Sequence, residues 1–550
     1  MPTANPTTHH NKSQAEFAND IEHEKHELAH DEIAQLPDGP TEVAIAKPAP
    51  TKRLSLFQTC REYKYATLLC FCAAAGILSD GFQIQMSGSI IALTGFTRQF
   101  GTLQANGKCK LDPQHVSMWG SLKNVTAMLG GSIGSYPADK IGRRWMILLV
   151  QILMIGAAIL EQFATKWHHW LGARLIDGLG VGLAQCCINV YVSEMAPTAG
   201  RGAILSTVNL GYAIGSFLSS VSLNIVTKQP PEQWRHAVLS QFALSGFAII
   251  CWAFLPESAR WLCAKGREEE CKKVLKKVYG HVPGFEVDEE YLRLRLEIEN
   301  EQVSAHIKRG GTYFDIVRGT NLRRFIISIL PWHWQSAIGG PIIGTYSSYF
   351  YQMAGLSNPF LGTVINNSVS IASLVGVLPL IEKAGRRRLL MAAGPICICC
   401  LLIMGGVLQK QTSATGPVLI AMACIWQVGN CIGPGALGYV YAAETSTIRL
   451  RAKNTGVVVF MCQGLAAVYV YIAPILLNSD AFGLGKTVFF WAGMATLVYL
   501  AILYMVPETK GRSYAELDEL FERRIPAWKF ASTETEEDIQ RKEIAAQGTA

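Results

Sequence analysis

Ionisable side chains interrupt three long apolar stretches of this sequence. Asp80 lies with two glutamines in the stretch ILSDGFQIQMSG (77–88), and Lys123 lies in the next stretch. Arg174 and Asp177 are three residues apart in a further one. Each such group costs about 3 kcal/mol to place at the centre of a bilayer when it is unpaired. We therefore expect these four residues to form ion pairs or to exchange a proton.

The composition predicts a membrane protein. The 550 residues are 50% hydrophobic and 17% charged, with a mean hydropathy of +0.22. Soluble proteins carry about 25% charged residues, so this chain is too apolar for most soluble classes. The net charge of +7 is typical of basic cytosolic loops and does not indicate a nucleic-acid partner.

Apolar stretches of about 20 residues predict roughly twelve transmembrane helices, six on each side of a polar segment. Lys and Arg concentrate in alternate loops, so we expect those loops and both termini in the cytosol. The prediction is an all-α membrane protein with five parts. They are a disordered cytosolic tail (1–60), a six-helix bundle (61–256), a cytosolic helical linker (257–322), a second six-helix bundle (323–506) and a cytosolic tail (507–550).

Three motifs occur once in each half of the chain. DKIGRR begins at Asp139, and EKAGRRR begins 243 residues later at Glu382. Glu194 of SEMAPTAGRGA and Glu444 of AETSTIRLRAK are 250 residues apart. The segments PESAR and PETKGR are separated by 251 residues. These offsets indicate a duplicated six-helix unit, which suits two bundles that rock about a site near the bilayer midplane.

Together with the glycine-rich run after Arg174, these motifs resemble the sugar porter family of the major facilitator superfamily. The resemblance covers about residues 65–521, and the motifs occur in the family's order. GGPIIG (339–344) and PETKGRSYAELDELF are similar to the fungal branch of α-glucoside and hexose permeases. The resemblance implies a twelve-helix fold in the cell membrane. It also implies transport of a sugar, such as an α-glucoside, a hexose or a polyol, by alternating access.

The resemblance also implies a substrate site of amides and aromatic side chains. A sugar presents hydroxyl groups that donate and accept hydrogen bonds, and its ring packs against an aromatic face. The family's positions carry over unevenly, because Ser336, Pro341 and Thr345 replace its usual residues. The substrate-binding residues that we expect are Gln83, Asn209, Gln335, Tyr346 and Tyr439.

Proton-coupled members of the family carry an acid at the position that Gln83 occupies in this chain. In those proteins the acid pairs with the arginine that corresponds to Arg174. Two interpretations follow. In the first, the proton site has moved to Asp80, which pairs with Arg174 or Lys123, and the protein is a proton symporter. In the second, Arg174 forms a structural ion pair with Asp177, and the protein is a facilitated-diffusion carrier.

Acids and arginines at the predicted cytosolic helix ends suggest ion-pair networks between neighbouring helices. We expect Asp139 to pair with an arginine such as Arg201, and Glu444 to pair with the group 386–388. In the family such networks form a cytosolic gate. The candidate gate residues are Asp139, Arg143, Arg144, Glu194, Arg201, Glu382, Arg386, Arg387, Glu444 and Arg451.

Other functions on the same fold remain open. Altered positions in the implied site are compatible with export of a small secreted or sugar-derived metabolite. A nutrient receptor is less favoured, because only 44 residues follow the last predicted span. Since no metal-spaced His/Cys cluster or phosphate-binding glycine loop occurs, we expect no enzyme activity, no cofactor and no metal. The expected partners of this monomer are the lipid bilayer, a small-molecule substrate and, under the first interpretation, H⁺.

Overall fold

Helices make up most of the chain that the structure describes. A computed structural model describes residues 56–105, 107, 109–197, 201–282, 285–307, 313–410, 412–447, 450–510, 512 and 514–539. The predicted tail 1–60 therefore lies almost wholly outside the described residues.

The described residues of the first half form nine α-helices, one short hairpin and two 3-10 helices, Ile90–Ala92 and Pro231–Trp234. The hairpin pairs β1 (Thr102–Leu103) with β2 (Cys109–Lys110) in antiparallel register. The helices are α1 (Leu56–Glu62), α2 (Lys64–Ser89), α3 (Thr94–Phe100), α4 (Pro113–Ile133), α5 (Ser135–Ile141), α6 (Arg143–Phe163), α7 (Trp167–Met195), α8 (Arg201–Val226) and α9 (Arg235–Ala253).

In the part of the polar segment that the structure describes, three α-helices and the 3-10 helix Tyr313–Val317 precede the second bundle. The segment contains α10 (Ala259–Ala264), α11 (Glu268–Tyr279) and α12 (Val287–Ile307). The remaining helices are α13 (Thr320–Ala337), α14 (Ser347–Met353), α15 (Pro359–Ala384), α16 (Arg386–Val407), α17 (Thr415–Asn430), α18 (Ala436–Glu444), α19 (Arg451–Asn478), α20 (Gly483–Met505) and α21 (Tyr514–Glu522).

The fold has twelve transmembrane helices in two groups of six. The first group is α2, α4, α6, α7, α8 and α9. The second is α13 with α14, then α15, α16, α17 with α18, α19 and α20. Among the described residues, nine helices are long and apolar enough to cross a membrane on those criteria alone. Helix α4 is less apolar because it carries Lys123 and several other polar residues.

Two transmembrane helices that the sequence predicts as continuous are interrupted. A π-helical turn, Pro341–Thr345, separates α13 from α14, and Cys431–Gly435 separates α17 from α18. Proline lacks the backbone N–H that a helix needs, and each turn contains one proline. Gly433 has non-helical angles (φ −95°, ψ −105°) inside the second turn. Each break therefore arises from local backbone chemistry that apolar periodicity does not report.

The helix bundles have two ends, which we call the motif side and the far side. The motif side carries the repeated motifs, including Asp139–Arg144 and Arg386–Arg388, together with α10–α12. The far side carries α3, the hairpin and the turn that joins α8 to α9. The segment after α20 also packs at the motif side, where Arg324 of α13 pairs with Asp518 of α21. A hydrogen bond from Arg512 lowers the pKa of Asp538 in the same segment.

Glycines permit a close approach between α4 and α7. A Cβ atom on Gly178 would collide with the backbone oxygen of Lys123, and one on Gly182 would collide with that of Ala127. This contact places Lys123 directly against the helix that carries Asp177 and Arg174. Small residues at a helix–helix contact are common in membrane bundles, where packing replaces the hydrophobic driving force.

We expect Gly182→Ala to destabilise the protein by about 1–3 kcal/mol, because the added methyl group forces α4 away from α7. Gly156→Ala is the matched control, since a Cβ on Gly156 meets no atom within 4 Å. That control should be neutral or stabilising, as alanine favours a helix. Thermal unfolding of purified protein in detergent measures both changes. Equal midpoints for the two variants would contradict the close packing.

Candidate functional site

A buried network of four charged residues lies inside the first bundle. Lys123 Nζ is 2.9 Å from Asp177 Oδ2, and Arg174 Nη1 is 3.3 Å from the same oxygen. Arg174 also pairs with Glu161 of α6. Glu161 accepts a hydrogen bond of 2.9 Å from Gln241 of α9. The four charged side chains are at most 6% exposed, so the network is held away from water.

The network is balanced, because two cations face two carboxylates. The predicted contact between Arg174 and Asp177 is present. Glu161 was not among the predicted residues; its place near the end of an apolar stretch is the signal that could have identified it. Because Glu161 and Asp177 supply both anions, Arg174 has ion-pair partners without an acid at position 83.

Asp80 belongs to a separate polar group. Tyr212 Oη of α8 donates a hydrogen bond of 2.5 Å to Asp80 Oδ2. Gln185 of α7 donates to Tyr212 Oη at 2.7 Å and lies 3.5 Å from Asp80 Oδ2. Among the described residues, no cation is in ion-pair contact with Asp80. Lys123 and Arg174 are instead in contact with the carboxylates of Asp177 and Glu161, so the structure does not show the predicted direct pair of Asp80 with either cation.

The predicted substrate residues occupy different environments. Gln83 is buried in α2, and Tyr346 is buried with its hydroxyl directed at the Val116 carbonyl, 3.4 Å away. Asn209 is exposed and lies one turn before Tyr212 on α8. Gln335 is half-buried beside Gly435, in the turn that interrupts the tenth span. The side chain of Tyr439 lies outside the described residues.

The motif side of the first bundle carries a second charged cluster. Arg143 lies 2.9 Å from Asp139 and 3.1 Å from Glu194. Glu257, which follows α9, accepts hydrogen bonds from the backbone N–H groups of Arg143 at 2.9 Å and Arg144 at 3.2 Å. These N–H groups begin α6, where a carboxylate is favoured by the helix dipole. Asp139 thus pairs with Arg143 within its own motif, whereas the side chain of its predicted partner, Arg201, lies outside the described residues.

The second bundle repeats this cluster. Arg386 lies 3.2 Å from Glu444, as predicted for that acid. Glu508 accepts from the N–H groups of Arg386 at 2.9 Å and Arg387 at 3.1 Å. The side chains of Arg201, Glu382 and Arg451 lie outside the described residues. In each half, one Arg–Glu pair therefore links two helix ends. The glutamate after the sixth span binds the backbone N–H of the same arginine.

Glycines with left-handed backbone geometry make both clusters possible. Gly142 (φ 105°) precedes α6, and Gly385 (φ 92°) precedes α16. A Cβ atom on either glycine would meet the carboxylate of Glu257 or Glu508. In the sequence, PESAR and PETKGR indicate only the repeat. The contact by which their glutamates cap the third helix of each bundle joins residues more than 110 positions apart, so the sequence did not predict it.

Comparisons with known proteins agree with this architecture. A family model described as "Sugar (and other) transporter" matches residues 69–521. The general alpha-glucoside permease of Saccharomyces cerevisiae is 27% identical over 88% of this chain and 79% of the permease. The low-affinity glucose transporter HXT1 of the same species is 26% identical over 92% of this chain and 89% of HXT1.

Solved structures show the same fold at lower identity. The xylose transporter XylE from E. coli, in an inward-open conformation, gives a TM-score of 0.68 at 19% identity. The match covers 83% of this chain and all of XylE. The proton:xylose symporter XylE bound to 6-bromo-6-deoxy-D-glucose gives a TM-score of 0.64 at 20% identity, over 84% of this chain and all of that one.

We expect Glu161→Gln to destabilise the protein by about 3 kcal/mol, because it leaves an uncompensated positive charge in the buried network. Glu232→Gln is the control, since Glu232 is exposed and its contact with Arg98 is 4.0 Å long. The control should change stability by less than about 1 kcal/mol. Thermal unfolding in detergent compares the two, and a Glu161 variant as stable as the control would show that the network is not needed.

Proposed function

Because the chain belongs to the sugar (and other) transporter family, we propose that it moves a sugar across a membrane by alternating access. The observation that carries this proposal is the repetition of one Arg–Glu–Glu cluster at the same end of both bundles. Two equivalent rigid bundles are what a rocking movement about a central site requires.

We place the motif side, and with it both termini, in the cytosol of a cell whose plasma membrane holds the monomeric carrier. The basic residues of both clusters support this orientation, since Lys and Arg favour cytosolic loops. The residues of the two clusters, including the three whose side chains are not described, then form the cytosolic gate. Arg143 with Glu194 and Arg386 with Glu444 each lie within one bundle, so they hold helix ends together while the bundles move.

The proposed substrate is an α-glucoside, a hexose or a polyol. Named relatives carry α-glucosides or glucose, which supports this range. Asn209 and Gln335 present amides that suit sugar hydroxyls, and they come from opposite bundles. Gln83 has no hydrogen-bond partner among the described residues. We include it in the site, together with Tyr346 and Tyr439, which supply aromatic surface as the bundles move.

We further propose that transport is coupled to protons and that Asp80 is the coupling acid. The balanced network already neutralises Lys123 and Arg174, so Asp80 is the one membrane acid of this bundle without a paired cation among the described residues. Its Oδ1 atom is buried and makes no hydrogen bond there. Such a carboxyl group is suited to bind a proton on one side of the membrane and release it on the other.

Uptake into cells that lack sugar transporters tests the function. We expect accumulation of at least one of maltose, glucose, galactose or sorbitol above the outside concentration. A protonophore should reduce that accumulation to simple equilibration, because the proton gradient supplies the driving force. Equilibration that a protonophore leaves unchanged would instead indicate facilitated diffusion. Efflux of a preloaded metabolite without any uptake would favour the exporter.

Asp80→Asn should abolish accumulation and its dependence on external pH, while exchange of labelled for unlabelled sugar continues. The amide keeps the shape of the carboxyl group and cannot carry a proton. Tyr212→Phe, which removes the hydrogen bond and keeps the acid, should retain accumulation with a changed pH dependence. Asp480→Asn, at an exposed far-side position, is the control. Full accumulation by the Asp80 variant would exclude Asp80 as the coupling acid.

A further inference from the structure

The two bundles are joined by hydrogen bonds in the half of the protein nearer the far side. At the end of α14, Gln352 Nε2 donates to the Ala92 carbonyl at 3.0 Å. Between α8 and α15, Asn367 Nδ2 donates to Ser220 Oγ at 2.7 Å. At the far-side ends of these two helices, Asn358 Nδ2 donates to Asn224 Oδ1 at 3.2 Å.

These contacts between the bundles are uncharged. Among the described residues, no ion pair joins the first bundle to the second, and the ion pairs in the membrane belong to the first bundle alone. The two sides of the protein therefore differ. Charged clusters organise the motif side within each bundle, whereas amides, hydroxyls and carbonyls hold the bundles together toward the far side.

Asn358 is oriented for its contact by a second hydrogen bond. Its Oδ1 atom accepts from the Leu361 N–H at 3.1 Å and so caps the start of α15. With the oxygen used by the cap, the amide nitrogen points across the interface to Asn224. The cap fixes the amide orientation because an amide has one acceptor end and one donor end.

We propose that Asn358 and Asn224 form an uncharged latch that keeps the far side closed and sets how readily it opens. The proposal rests on the alternating-access function given above. A neutral hydrogen bond contributes only modestly to stability, so it is weak enough to break each time the far side opens in the transport cycle. The latch is also insensitive to pH and salt, in contrast to an ion pair at the same place. Both asparagines are positioning residues, since they act on the movement of the bundles rather than on the sugar.

A cross-linking reporter measures closure of the far side without any substrate. Ala92→Cys with Gln352→Cys places two thiols on the neighbouring contact between the bundles. A protease site inserted between residues 308 and 312 lets the two halves separate on a denaturing gel unless a short bifunctional thiosulfonate reagent has joined them. The same chain without the two reporter cysteines corrects for the 15 native ones.

Two variants with the helix cap intact change the latch in opposite directions. Asn224→Asp keeps the acceptor and strengthens the bond from Asn358, so cross-linking should proceed as fast as before or faster. Asn224→Asp with Asn358→Asp opposes two carboxylates, and we expect cross-linking to slow about fivefold, which is the scale of one lost hydrogen bond. Acid pH should restore the rate in the double variant only, because one protonated carboxyl group donates again.

Equal cross-linking rates in the parent and both variants, or a double variant whose rate ignores pH, would overturn the latch. If the double variant does not fold, Asn358→Ala with Asn224 intact gives the same test, and an unchanged rate would again exclude the latch. Cross-linking does not depend on which sugar is carried. A latch that behaves as expected in a protein that moves no sugar would therefore refute the proposed function alone.

Discussion

The pairing of Lys123 and Arg174 with Asp177 and Glu161 is the interaction on which the rest of the first bundle depends. Four charges in an apolar interior persist only when they neutralise one another. Their helices α4, α6 and α7 are thereby held in one arrangement, and glycines let α4 and α7 approach closely enough for the pairs to form. The same pairing leaves Asp80, beside Tyr212 and Gln185, as the acid that we propose exchanges a proton.

Charge balance separates structural from functional acids in this chain. Asp177 and Glu161 each lie in ion-pair contact with a buried cation. Asp80 faces a phenol and an amide, which tolerate either protonation state, since a hydroxyl donates to a carboxylate and accepts from a carboxylic acid. Gln83 in place of an acid is therefore compatible with proton coupling, because Arg174, with which such an acid would pair, has other partners.

Much of this arrangement was predictable from the sequence. Apolar stretches and repeated motifs predicted twelve helices in two groups, and they also predicted the contacts of Asp177 with Arg174 and of Glu444 with Arg386. The roles of Glu161, Tyr212 and Gln185 were not predictable, because the rotation of each helix about its axis decides which polar group faces which. The caps by Glu257 and Glu508 were not predicted because they join residues that are distant in the sequence. The interruptions of two helices were not predicted because the apolar pattern continues across each backbone break.

The central claim is that one acid, Asp80, carries one proton with each sugar. Purified protein in liposomes that contain a trapped pH dye tests it directly, with uptake of labelled maltose or glucose measured in parallel. The account predicts that sugar entry acidifies the interior at one proton per sugar and that Asp80→Asn abolishes the acidification. Sugar entry by the unmodified protein without any change of internal pH would contradict it.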